Sequence, residues 1–303
     1  MRKSYLLVIV SILLLFVSPV FALEVPSTHL VSVRWLSNNI GNPDLVILDV
    51  RSPQAYEAGH IPYAVNLPKK GNFQKGYIGN IKHLLDTPSR VTKIFRKVGI
   101  SDNSIVILYG AGNSVKSYTF VTREFWTMWT YGIKNIAILN GGYLAWKEVG
   151  ESISRNCYSP AMGDFKIHDM QLSDIATWPY IYEAIATHKI QLIDAREPAH
   201  YNGIDHDRRL LKHGHIPGAI EIAYYNFVKK VGNDYQLVSP KKILSILKND
   251  GIDINKPIIV YCNTGHLASG NWFAIRMLAN IKDTKLYDAS MYEYTRMPLP
   301  VVK

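Results

Sequence analysis

The chain repeats itself once, and no other feature limits its possible folds as much. Leu45-Val46-Ile47-Leu48-Asp49-Val50-Arg51 returns as Ile190-Gln191-Leu192-Ile193-Asp194-Ala195-Arg196, 145 positions later. Gly59-His60-Ile61-Pro62-Tyr63-Ala64 returns as Gly214-His215-Ile216-Pro217-Gly218-Ala219 at a displacement of 155. The extra ten residues fall in a polar, charged insertion, Ile204 to His213. Gly99 through Tyr109 matches Gly251 through Tyr261 at 152, and Asn140-Gly141-Gly142 matches Asp288-Ala289-Ser290 at 148. Ordered matches of this kind place two copies of one domain at residues 24–150 and 172–303. Between them, residues 151–171 are rich in Ser, Pro, Gly and charge and suit a linker.

Within each copy, short apolar runs alternate with helical patterns. In the first, strands are expected at Leu45–Val50, Ala64–Leu67, Ile105–Tyr109 and Ile136–Leu139, and helices at Val91–Val98 and Ser117–Tyr131. Such alternation predicts an α/β fold in which each domain is a mainly parallel sheet flanked by helices. Ligands of such sheets bind at the carboxyl ends of the strands.

Cys262 occupies such an end. It follows Pro257-Ile258-Ile259-Val260-Tyr261 and opens Cys262-Asn263-Thr264-Gly265-His266-Leu267-Ala268-Ser269-Gly270, with a helix-like stretch from Asn271 to Asn280 behind. A tight loop before a helix aims backbone N–H groups inward and holds an anion. A thiolate is such an anion, and these settings favour the ionised, nucleophilic form. The plainer alternative is a small buried hydrophobe, as most unpaired cysteines are. Trp272, Phe273 and Met277 sit at helical spacing and are expected in the core.

The first residues bear on compartment. Arg2 and Lys3 precede an uncharged apolar run from Tyr5 to Val17, followed by Ser18-Pro19 and Val20-Phe21-Ala22. This pattern predicts a signal peptide over residues 1–22, cut after Ala22, and a secreted or periplasmic protein with no stable membrane span after cleavage. Removing Arg2 and Lys3 lowers the formal charge from +10 to +8. A basic surface outside the cytoplasm favours small anionic substrates. Nucleic acid is not an expected partner, because no basic run is interleaved with stacking aromatics. The remaining cysteine, Cys157, lies in the linker and is assigned no chemistry. Cys-x-x-Cys and zinc-type spacings are lacking, so neither a dithiol oxidoreductase nor a metal site is expected.

The combination of Asp-x-Arg, Gly-His-Ile-Pro-x-Ala, a strand ending in a cysteine loop, and Leu286-Tyr287-Asp288-Ala289-Ser290 resembles the tandem rhodanese family of sulfurtransferases, over nearly all of residues 23–303. The resemblance implies two rhodanese-like domains with the catalytic cysteine only in the second. In agreement, the first copy has Gly110 where the second has Cys262. It also implies sulfur transfer through a Cys262 persulfide, from a small anionic donor to a thiophilic acceptor, with no cofactor and no metal. The same N–H cradle would serve thiolate and persulfide alike. Asn263, Thr264, Gly265, His266 and Leu267 are the candidate loop contacts for the donor. Arg196 is the candidate guanidinium fork for its anionic group, and a salt bridge to Asp194 or to a helix end is the equal alternative. Arg51, with no thiol beside it, takes the structural role. His60 and His215 are expected to fix turns.

Donor choice divides the family. Thiosulfate-using loops resemble Cys-Arg-Lys-Gly-Val-Thr-Ala, and mercaptopyruvate-using loops resemble Cys-Gly-Ser-Gly-Val-Thr-Ala. Here the loop carries no cation, and Thr264 supplies a hydroxyl. Mercaptopyruvate enzymes have Asp-Ala-Arg-x-x-x-Arg, whereas this chain has His200 at the last position. His83 is the nearest match to the histidine of the mercaptopyruvate relay, and Lys69 and Lys70 offer positive charge for thiosulfate. Charge and compartment favour thiosulfate, with 3-mercaptopyruvate and a non-catalytic sulfur-binding scaffold as alternatives. A cysteine phosphatase is disfavoured, because Ala268 stands where a phosphate-clamping arginine would be needed.

Overall fold

The computed structural model describes residues 23–68 and 75–303. The expected leader, residues 1–22, and the pair Lys69 and Lys70 lie outside the described residues. Each half carries a five-stranded parallel sheet. In the first, the spatial order is Leu30–Val31, Ile136–Leu139, Ile105–Tyr109, Leu45–Asp49, Ala64–Asn66. The second reproduces it as Ile175–Ala176, Thr284–Tyr287, Ile258–Tyr261, Gln191–Asp194, Ala219–Glu221. The central strands are buried on both faces, which is why Ile105–Tyr109 and Ile258–Tyr261 read as unbroken apolar runs.

The expected strands appear, trimmed by a residue at Val50 and at Leu67. The helices start earlier than periodicity indicated, because caps rather than apolar spacing set their ends. The helix Pro88–Lys97 opens on a proline at its first position. The helix Val115–Thr130 opens on Ser114, whose hydroxyl accepts the Ser117 N–H at 3.2 Å. Behind Cys262 the helix is short, Ala268–Trp272, and widens into a π-helical turn, Phe273–Leu278. Such turns occur mostly as single insertions and often at functional sites. Trp272, Phe273 and Met277 are buried there as expected.

The Gly-His-Ile-Pro turns are built alike. His60 Nδ1 lies 2.9 Å from the Tyr56 carbonyl, and its ring stacks on Tyr56 at 3.8 Å. His215 Nδ1 lies 3.0 Å from the Tyr201 carbonyl, and its ring stacks on Tyr201 at 3.6 Å. Gly214 must be glycine: its φ is +126°, and a Cβ would come within 2.2 Å of the Val302 carbonyl oxygen.

The halves share one core. A single apolar cluster holds Val121, Phe125 and Trp126 of the first domain together with Ala268, Trp272 and Phe273 of the second. Phe125 meets Phe273 edge-on at 4.7 Å, and Thr122 Oγ1 lies 3.0 Å from Ser269 Oγ. Burying each such aromatic contributes about 1.5–3 kcal/mol, so the interface is held like a domain interior.

Two hairpins cross the boundary in opposite directions. The first-domain pair Gly76–Ile78 and Ile81–Leu84 delivers the Leu85 N–H to Asp288 Oδ2 at 2.9 Å. The second-domain pair Val228–Val231 and Asp234–Leu237 delivers the Leu237 N–H to Asn140 Oδ1 at 3.2 Å. Asp288 and Asn140 are the repeat-related residues, so the contact is made twice about a pseudo-twofold axis.

Candidate active site

Cys262 leaves the end of Ile258–Tyr261 and is only 1% exposed. Its loop is anchored from below by Ser290, whose Oγ accepts the N–H groups of Cys262 and Gly265, each at 3.1 Å. Ser290 in turn donates to the Tyr287 carbonyl at 2.7 Å. Met291 and Tyr292 N–H groups bind the Cys262 and Asn263 carbonyls at 3.0 and 2.9 Å. Two of the loop donors expected to face an anion are therefore spent on Ser290. Among the described residues the Asn263, Thr264 and Leu267 N–H groups meet no protein acceptor, so they are the ones left for a ligand.

Gly265 has φ +69°, and a Cβ there would lie 2.6 Å from the Asp288 carbonyl oxygen and 2.7 Å from Arg123 Nη1. The loop is thus pressed against a buried ion pair that spans the domains. Arg123, 1% exposed, donates from Nη1 to Asp288 Oδ1 at 2.5 Å, and its guanidinium lies 4.7 Å from the Trp126 ring. Sequence reading did not single out Arg123, because nothing local shows that its helix meets the other domain.

Cys262 opens onto a cavity of about 500 Å³. Asn263, Thr264, His266 and Leu267 line it with the thiol, and His200 joins them from the short helix Pro198–Tyr201. The first domain contributes His83 and Lys116. Asp207 and Arg209 cover it from the Ile204–His213 insertion, and Glu197 and Tyr224 complete it. The insertion is fastened to the C-terminal segment by Lys212 Nζ, which donates to the Met297 and Leu299 carbonyls at 2.7 Å each.

Arg196 does not line this cavity, contrary to the donor-fork expectation. It is 1% exposed, and its Nε and Nη2 bind Asp194. Nη2 also donates to the Gly214 carbonyl at 2.7 Å, and Nη1 to Asn263 Oδ1 at 3.3 Å. Arg51 does the same with Asp49 and the Gly59 carbonyl. The salt-bridge alternative describes both arginines, and Arg196 reaches the site only through Asn263. A guanidinium that does reach the cavity is Arg209. It is held by Asp207, which also accepts Asn263 Nδ2–H at 2.7 Å. The hydrogen bond from Arg209 holds the Asp207 carboxyl down at about 2, against a smaller opposing effect of burial.

His266 is used on the boundary: Nε2 lies 3.2 Å from Thr119 Oγ1, and the ring packs at 4.9 Å on Phe120. His200 Nδ1 lies 3.2 Å from the Asp205 carbonyl at the cavity edge. His83 has φ +69° and meets Tyr292 edge-on at 5.8 Å. Burial, and then the positive charge of Arg209, pushes the His83 imidazole below its ordinary value, which favours its neutral form. Cys157 is exposed and free, and Cys262 is buried and free.

The site therefore offers a thiol in a donor-lined loop, cations from both domains, and a neutral imidazole. That set suits covalent transfer of a group from a small anion. Comparison with known proteins agrees. The rhodanese-like domain model matches residues 32–149 and 177–297. A relative in Synechococcus elongatus, provisionally named a thiosulfate sulfurtransferase, is 30% identical across 99% of this chain and 95% of its own. The 3-mercaptopyruvate sulfurtransferase of Escherichia coli is 28% identical across 91% of this chain and 98% of its own. The crystal structure of Escherichia coli SseA, described as a 3-mercaptopyruvate sulfotransferase with the rhodanese fold, superposes with a TM-score of 0.75 at 26% identity. It covers 86% of this chain and 98% of SseA. With two matched domains whose sheets repeat strand for strand, this chain belongs to the rhodanese family.

Proposed function

We propose that the protein is a sulfurtransferase that moves a sulfane sulfur through a Cys262 persulfide, with thiosulfate as the favoured donor. The Cys262 thiolate attacks the outer sulfur of thiosulfate. The S–S bond of the donor breaks, sulfite leaves with the electron pair, and Cys262 retains the sulfur as a persulfide. A thiophilic acceptor then removes that sulfur and restores the thiolate. The observation that carries this reading is the placement of Cys262 at the floor of a cavity lined by Arg209 and Lys116 and by unspent loop N–H groups. Arg209 and Lys116 draw the donor anion in, and the N–H groups stabilise the anionic sulfur.

The second reading is 3-mercaptopyruvate as donor. It is favoured by His83 and the Thr264 hydroxyl, which line the same cavity. An imidazole in the cavity can take the proton of the Cys262 thiol and, as imidazolium, pass it to the departing enolate, a step that thiosulfate does not need. Donor-by-donor kinetics with the two anions decide between them: a kcat/KM for mercaptopyruvate above that for thiosulfate would reverse the assignment. A protein that binds both and transfers from neither would be a scaffold.

Secretion or periplasmic location belongs to the same proposal, resting on residues 1–22. Among the described residues, no helix is long and apolar enough to cross a membrane. N-terminal sequencing of the exported protein should begin at Leu23.

A further inference from the structure

The first domain has its own cavity, about 880 Å³, at the place where its Gly110 loop corresponds to the Cys262 loop. It cannot repeat the chemistry. A Cβ on Gly110 would lie 2.7 Å from Val121 Cγ2 and 3.3 Å from the Ser117 carbonyl oxygen, so the helix has closed over the position a thiol would need. The walls are largely apolar, with Val50, Pro53, Ala55, Ala111 and Phe120. Ligand cavities for drug-sized molecules run to about 300–1,000 Å³, and thiosulfate or cyanide fills a small part of that.

The two cavities have a lining residue in common. Lys116 lines both. One helical turn further on, Phe120 lines the first-domain cavity while packing on His266, which lines the other. Lys116 is thus placed to meet a ligand in either cavity.

We propose that this first-domain cavity is the subsite for the body of the sulfur acceptor, and that the acceptor is an organic thiol with an apolar body and an anionic group. The proposal rests on the sulfurtransferase reading. The acceptor thiolate attacks the outer sulfur of the Cys262 persulfide. A bond forms between the acceptor sulfur and that outer sulfur, and the bond to Sγ breaks. The electron pair returns to Sγ, and the acceptor leaves as a persulfide, with no oxidant or reductant consumed. Lys116 offsets the charge of the acceptor.

The test compares acceptors on the full chain carrying Ala55→Trp or Ala111→Phe, each of which fills the first-domain cavity. The acceptors are cyanide, 2-mercaptoethanesulfonate and 4-mercaptobenzoate. With 4-mercaptobenzoate, kcat/KM should fall by about tenfold or more, as expected from lost apolar burial. With cyanide and the small thiol it should stay within about twofold, because neither fills the cavity. An unchanged kcat/KM for 4-mercaptobenzoate, or an equal loss with all three acceptors, in a folded variant would overturn the subsite. If the variants do not fold, the unaltered protein is titrated with 4-methylbenzoate. It should compete with 4-mercaptobenzoate and leave single-turnover loading of Cys262 by thiosulfate unchanged; competition with thiosulfate instead would also overturn the subsite. Absence of cyanolysis in the unaltered protein would remove the catalytic reading itself, a different outcome from normal cyanolysis without acceptor discrimination.

Discussion

The loops at Gly110 and Cys262 stand at the same place in two copies of one fold, and the framework beneath them is nearly identical. Asp49, Arg51, Tyr109 and the Gly59 carbonyl form one network, and Asp194, Arg196, Tyr261 and the Gly214 carbonyl form the other. What differs lies above the framework. In the second domain the insertion adds Asp207 and Arg209, Asn263 ties Arg196 to Asp207, and Arg123 presses on the loop from the other domain. In the first, the helix closes over Gly110. The Asp–Arg network is therefore scaffolding common to active and inactive copies, and catalysis depends on what is added to it.

The comparison can be broken at its strongest point by Cys262→Ser, which should lower sulfur transfer by more than about a thousandfold, because the nucleophile itself is lost. Cys157→Ser should leave it unchanged. Rates of thiocyanate formation from cyanide measure both, and appreciable turnover in Cys262→Ser would end the assignment.

The shared framework is sharpened by Arg51→Met and Arg196→Met. Each strands a buried aspartate, so each should cost about 3–5 kcal/mol of stability in denaturant unfolding. Only Arg196→Met should also slow donor loading, because only Arg196 reaches a thiol loop. A normal midpoint with a large kinetic loss in Arg196→Met would return it to the donor-binding role.

Gly110→Cys asks whether the first copy can be revived. Overpacking against Val121 should cost about 1–3 kcal/mol. In a Cys262→Ser background, mass spectrometry after thiosulfate treatment should find no added sulfur on position 110.

Arg209→Ala should lower kcat/KM for thiosulfate by about tenfold, as a charge-assisted hydrogen bond to the anion is lost. A melting temperature close to that of the unaltered protein would separate this from unfolding.

The smallest effect concerns pH. Because the Asp207 carboxyl is depressed in the folded state, its contribution is complete above the ordinary carboxylate value near 4 and fades as pH falls through about 2. The difference in melting temperature between the unaltered protein and Asp207→Asn should be flat from about pH 8 to 5 and shrink below about 4. A difference that stayed constant down to about pH 2 would mean that pairing with Arg209 does not set the Asp207 carboxyl.

Much of this architecture is written locally. The duplication, the central strands and Cys262 at a strand end follow from runs of adjacent residues. The strand Leu30–Val31 does not, since two residues carry no period. Arg209 lies in the longest length difference between the copies, which reads as a polar insertion, and only tertiary structure shows it folding across the thiol. That length difference was itself the available signal. Lys116, Arg123 and His83 belong to the other domain, so no spacing around Cys262 could reveal them. The charge argument leaves Arg196 equally open to the donor and to a salt bridge, and the short-range pull of Asp194, two residues away, decides its position.

The reciprocal hairpins, with Leu85 reaching Asp288 and Leu237 reaching Asn140, give one chain the contact geometry of an isologous dimer. The covalent connection between the halves keeps each beside the other however dilute the protein becomes. A dimer that cannot dissociate no longer needs identical subunits. One half can give up its nucleophile and still be present, in fixed orientation, at every turnover of the other.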